Sequence, residues 1–122
     1  MATLPRKLKT KFSQFVLKDK KPIRTEDIKE WGKFMESKER ILKQDVLKNN
    51  FWVSTVFLGI EHRFIGKGKP VLFETMAFDK KGGSSVDERR YTTYTGAMLG
   101  HKNMVKKWQK GEELLAIINL KE

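Results

Sequence analysis

The spacing of apolar positions changes several times along the chain, and each change marks an element. Ile28, Trp31 and Met35, then Leu42 and Val46, trace one stripe at helical spacing. Thr25 followed by Glu26 and Asp27 supplies a capping hydroxyl and acids that suit the positive end of a helix. The pattern predicts helix over 25–48, or two helices that break at Glu36-Ser37, where Ser37 caps the second. After Asn49-Asn50 the run "FWVSTVFLGI" (51–60) is β-branched and aromatic and apolar on both faces, which predicts a central strand. The segment "IGKGKP" (65–70) has the Gly and Pro of a turn, and "VLFETMAF" (71–78) is a second strand, so a hairpin is the simplest pairing.

The polar, Gly-rich stretch "DKKGGSSVDE" (79–88) reads as a loop, and "RRYTTY" (89–94) as a short third strand. Thr93 or Thr95 caps a helix over 94–110 in which Ala97, His101, Met104, Val105 and Trp108 share a face. Gly111 is its expected stop, and "LLAIINL" (114–120) its expected sequel as a strand. Near the start, Leu8, Phe12, Phe15 and Val16 fit helical spacing while "FVLK" fits a short strand, and Pro22 ends whichever forms. The fold class that follows is α+β, an antiparallel β-sheet of three to four strands with helices packed on one face.

A chain of 122 residues holds one compact domain, and 39% hydrophobic content with eight Phe and three Trp provides its core. No apolar run approaches the roughly 18–20 residues that span a bilayer, and "MATLPRKLKTKF" lacks the apolar run of a secretion signal, so a cytoplasmic protein without a membrane partner is expected. With no cysteine, disulfides, thiolate metal sites and thiol catalysis are excluded. Charge changes the picture more: 26 Lys+Arg against 15 Asp+Glu give a net +11. Most of the excess lies in residues 1–24, where Arg6, Lys7, Lys9, Lys11, Lys18, Lys20, Lys21 and Arg24 face only Asp19. The expected organisation is a basic N-terminal arm over 1–24 and a single α+β domain over 25–122. The arm's lysines and Arg6 suit the phosphates of DNA or RNA, and serve equally as a solvated face.

The candidate chemistry sits around the predicted hairpin. Its first strand runs into Glu61, His62 and Arg63, and its second carries Glu74 between apolar neighbours. A carboxylate there either points to solvent or requires a partner, for which Arg63, Arg89 and Arg90 are at hand. His62 and His101 are the only histidines, without HExxH spacing or a sequence cluster, and His101 falls on an apolar helix face. No metal or cofactor is therefore predicted. Glu61 and His62, adjacent on a strand, point to opposite faces, which argues against a shared acid–base role, so no catalytic residue is assigned. "GKGK" (66–69) does not match GxxxxGK[ST] and reads as a turn. What remains is Arg63, Lys67, Lys69, Arg89, Arg90, Tyr91 and Tyr94, a set suited to gripping phosphate and stacking on bases, or to a protein interface. The predicted ligand-binding residues are His62, Arg63, Glu74, Arg89, Arg90, Tyr91, Tyr94 and His101, gathered around one hollow.

The blocks "VSTVFLGIEHRF", "GKPVLFETMAF" and "RRYTTYTGAMLGHKNMV" resemble a group of small phage-encoded proteins with VSTVxLGxxH, PxxFETMxF, RYxT and GHxxMV in that order. The likeness covers 53–105 and directs attention to His62, Glu74, Thr75, Arg90, Tyr91, Thr93 and His101. This chain departs from it in the basic "IGKGK", where a more neutral glycine-rich turn is expected. The resemblance implies a phage or prophage origin and the host cell cytoplasm. By analogy with small phage proteins that act on host components, it implies a non-enzymatic, anti-defence accessory protein that binds an anionic, nucleotide-type ligand or a host defence protein. The alternative is a DNA- or RNA-binding protein acting through its arm. A homodimer with a site between protomers is compatible with either.

Overall fold

The computed structural model describes residues 13–61 and 68–120. In chain order its elements are β1 (Ser13–Lys18), β2 (Lys21–Arg24), α1 (Ile28–Glu36), β3 (Ile41–Val46), β4 (Trp52–Phe57), β5 (Ile60–Glu61), β6 (Phe73–Phe78), β7 (Ser85–Tyr91) and α2 (Tyr94–Leu120). The fold is α+β, but the strands divide between two antiparallel sheets, β3-β4-β6-β7 and β2-β1-β5. β4 is central to the larger sheet, as its two-sided apolar sequence requires.

Alternation along β4 buries Val53, Thr55 and Phe57 on the face that α2 covers. The β4–β6 register sets Val53 opposite Ala77, Thr55 opposite Thr75 and Phe57 opposite Phe73, so β6 contributes to the same face. Helix α2 lays Ala97, His101 and Met104 on it. Two apolar clusters result: Phe57, Leu72, Phe73 and Ala97 at one end, and Val53, Ala77 and Met104 at the other. Each large side chain so buried contributes about 1.5–3 kcal/mol. Between the two clusters lies a polar layer of Thr55, Thr75 and His101.

Several boundaries differ from the pattern-based expectation. Residues 41–46 form an edge strand paired with β4, not helix. Leu42 and Val46, which share a stripe at helical spacing, part company: Leu42 packs against the core and Val46 is exposed. The open edge of β4 offers hydrogen-bond partners that outweigh weak helical periodicity. Helix α1 is capped by Asp27, which accepts from the amides of Lys29 and Glu30, while Thr25 accepts from the amide of Asp27. Ser37 ends α1 and caps the 3-10 turn Lys38–Arg40. β7 begins at Ser85, so the loop before it is shorter than 79–88. Helix α2 runs through Gly111 to Leu120 in place of the expected closing strand. A mid-helix glycine costs about 1 kcal/mol, and a helix already nucleated extends readily through the Glu, Leu and Ala that follow.

Leu8 and Phe12 lie outside the described residues; over 13–24 the choice between helix and strand resolves to a hairpin, with Lys18 opposite Lys21. Its two-residue turn, Asp19-Lys20, has φ of 50° and 65°. Gly59, with φ of +77°, lets the chain leave β4 and pair β5 with β1. A Cβ there would fall 2.5 Å from the Met35 sulfur, and the Trp31 indole donates to the Gly59 carbonyl at 3.1 Å.

Candidate functional site

The polar layer beneath α2 is a continuous relay. Asp45 Oδ2 lies 2.7 Å from His101 Nε2, His101 Nδ1 lies 2.6 Å from Thr55 Oγ1, and Thr55 Oγ1 lies 2.6 Å from Thr75 Oγ1. An ionised Asp45 only accepts, so Nε2 of His101 donates to it. With the ring neutral, Nδ1 then accepts from Thr55, which accepts from Thr75, and every group is satisfied. Thr55 and Thr75 are fully buried and His101 is 1% exposed, whereas the Asp45 side chain is 41% exposed. The relay therefore ties three strands and α2 together and reaches water only at Asp45. Hydroxyl, imidazole and carboxylate in series can activate a nucleophile, but that requires a reachable oxygen. Neither described depression is lined by Thr55, Thr75 or His101. His101 is thus a hydrogen-bonded core histidine.

Glu74 belongs to the opposite face of β6, since neighbours on a strand alternate. It is 8% exposed and accepts from Arg90 Nε at 2.9 Å across the β6–β7 pair. That bond holds the Arg90 guanidinium above its usual range. Arg89, paired with Thr75, lies on the α2 side of the sheet and is exposed. The Tyr91 ring rests on Gly100, where a Cβ would meet its hydroxyl oxygen. Of the predicted ligand set, then, the structure brings Glu74 and Arg90 together but sets His101, Tyr91 and Arg89 on the other side of the sheet. His62 and Arg63 lie outside the described residues, as do Lys67 and, in the arm, Arg6, Lys7, Lys9 and Lys11. Glu61 accepts from the Val71 amide at 2.7 Å, which clasps the two ends of the intervening segment.

A cleft of about 600 Å³ opens elsewhere, between the β1–β2 turn, Lys69-Pro70 and the start of α2. Lys20, Lys21 and Lys69 converge on it, with Thr92, Thr93 and Thr95 on one wall and Phe15, Pro22 and Leu72 as an apolar floor. Asp19 is the one acid among the described residues that line it. Thr93 caps α2 by accepting from the Gly96 amide at 3.0 Å, and the Tyr94 and Thr95 amides of the first turn have no intrahelical acceptors. Tyr94 lines the cleft, packs edge-on against Phe73 and carries Lys20 over its ring at 5.4 Å. Lys20 sits in the left-handed region, where Gly or Asn is preferred, and such outliers concentrate at functional sites. The cleft is cationic, hydroxyl-rich and aromatic, which suits a phosphate-bearing ligand with an unsaturated ring.

Of the cleft residues, Tyr94, Lys20, Lys21 and Lys69 are visible in the sequence as candidate cations and rings, but from separate segments. Thr55 and Asp45 are invisible there as partners of His101. The available signal was Thr55 in phase with Val53 and Phe57, a hydroxyl on a buried face opposite Thr75. No group of three His, Cys, Asp or Glu suited to a metal occurs among the described residues, and no helix there is long and apolar enough to cross a membrane. Comparison with protein-family models, with curated proteins and with solved structures gives no match to this chain.

Proposed function

We propose that this protein binds a phosphate-bearing, nucleotide-type anion in the cleft at the start of α2, as a phage-type accessory protein that sequesters such a molecule from host defence. The observation that carries the reading is the convergence of Lys20, Lys21 and Lys69 on a 600 Å³ hollow walled by the first turn of α2 and the Tyr94 ring. Lysines and free helix-terminal amides favour phosphate oxygens. Tyr94 and the apolar floor favour a flat base over a bare ion. The strained backbone at Lys20, which carries its ammonium to Tyr94, supports a selected role for that side chain. The anti-defence role rests on analogy with small phage proteins.

Calorimetric titration with a cyclic dinucleotide, cyclic ADP-ribose, ATP and pyrophosphate tests the reading. At least one nucleotide should bind more tightly than pyrophosphate, and Lys69→Ala should weaken it about tenfold or more. Absence of binding by all four, together with no nucleotide released on heating freshly purified protein, would remove the support for this function.

A further inference from the structure

The outer side of α2 takes no part in the core or the cleft. Its inner side is committed to the sheet through Ala97, His101 and Met104, with Val105 and Trp108 packed beside them. Lys102, Lys106 and Lys110 recur at every fourth position and are all exposed, forming one row with a step of about 6 Å. Lys107, next to the row, is held by Asp87 at 2.6 Å. Among the described residues no acid pairs with Lys102, Lys106 or Lys110. Asn103 and Gln109 join Lys106, Lys107 and Lys110 around a shallow depression of about 660 Å³. Like charges four residues apart repel and weaken a helix, so the row is a cost to the fold that burial does not explain.

We infer that this row is a docking track for the phosphate backbone of duplex nucleic acid. Evenly spaced ammonium groups complement an evenly charged polyanion and displace its counterions, and the Asn103 and Gln109 amides donate to phosphate oxygens alongside. A single helix is of a size to enter the major groove. Contacts of this kind position the protein without reading sequence. An anionic membrane is the poorer partner, because an interfacial helix inserts its apolar face and that of α2 lies against the sheet. The surface shares no residue with the cleft, so it stands or falls independently of the ligand proposed above.

The test is fluorescence anisotropy of the full chain with a 20-base-pair duplex of arbitrary sequence, across a salt series. Lys102→Gln/Lys106→Gln/Lys110→Gln should lower the magnitude of the slope of log affinity against log salt by about 2.7, and Lys106→Gln alone by about 0.9. The corresponding triple Lys→Arg variant should retain the wild-type slope, and Lys7→Gln/Lys9→Gln/Lys11→Gln in the arm should leave the contribution of α2 in place. The inference is overturned if the wild type does not bind duplex at low salt, or if the single and triple Gln variants keep the wild-type slope. It is equally overturned if the row's removal abolishes binding to phosphatidylserine vesicles while duplex binding is unchanged.

Discussion

Replacing Thr55 by Val tests whether the buried relay holds the fold together. The change is nearly isosteric and keeps the β-branch that suits β4, so packing and strand preference stay close to constant. What is lost is the hydroxyl between two buried groups: Thr55 lies 2.6 Å from both His101 Nδ1 and Thr75 Oγ1. Neither partner reaches water, since His101 is 1% exposed and Thr75 is fully buried. His101 cannot escape by swapping tautomers, because Nε2 would then present a lone pair to the Asp45 carboxylate 2.7 Å away. Leaving a buried group unsatisfied costs about 1–3 kcal/mol, so Thr55→Val should cost about 2–4 kcal/mol. Thr75→Val removes only the end of the chain and should cost about 1 kcal/mol. In the double variant only the imidazole nitrogen is orphaned, so the loss should be smaller than the sum of the singles and close to, or below, that of Thr55→Val alone. Urea unfolding followed by tryptophan fluorescence reads these as shifts in midpoint at constant slope, on the order of 1–2 M for the Thr55 variant. A Thr55→Val protein within about 0.5 kcal/mol of wild type, or strictly additive losses in the double variant, would refute the reasoning.

Three further outcomes are expected. Lys20→Gly should stabilise the protein by roughly 0.5–1 kcal/mol, because Asp-Gly is the preferred pair for a turn of this hand, while nucleotide binding in the cleft weakens; thermal melts and calorimetry check the two effects together. Asp87 is held below its ordinary value of 3.8, first by the hydrogen bond from Lys107 and also by that from Trp108, against the opposing effect of burial. Its contribution is therefore fully present above the unfolded value and is lost as pH falls through the lower folded one. Asp87→Asn should cost about 1 kcal/mol at pH 7, and urea midpoints taken down to pH 2 should show the gap from wild type closing in acid. Gly100→Ala places a Cβ 2.0 Å from the Tyr91 hydroxyl oxygen and should destabilise by about 1–3 kcal/mol; Tyr91→Ala in the same chain should recover part of that loss through a coupling visible in thermal melts.

The three sequence blocks 53–64, 68–78 and 89–105 take on a structural meaning once folded. Thr55 of the first, Thr75 of the second and His101 of the last form one relay. Glu74 of the second block pairs with Arg90 of the third, Tyr91 lies over Gly100, and Thr93 caps α2. Their polar residues serve one another, which makes the pattern a signature of packing. Of the cleft's lysines, Lys20 and Lys21 come from the β1–β2 turn, outside those blocks, and Lys69 from the start of the second, while Tyr94 and the threonines belong to the third.

What depends on local spacing and composition is legible along the chain. The central strand at 51–60, its antiparallel partner at 71–78, the helix beginning near Thr93 and the excess of lysine are all carried by neighbouring residues along the chain. Matters of distance were settled by contacts between remote segments. Residues 41–46 became a strand because β4 had an edge to fill, and a carboxylate expected on a helix became the outer end of a relay. Lys20, Lys69 and Tyr94, drawn from three distant segments, became one cleft. Hydrophobic period reports which face a residue prefers; it carries no information about which other residues will occupy that face, since that depends on strand register and on the docking of a helix far along the chain.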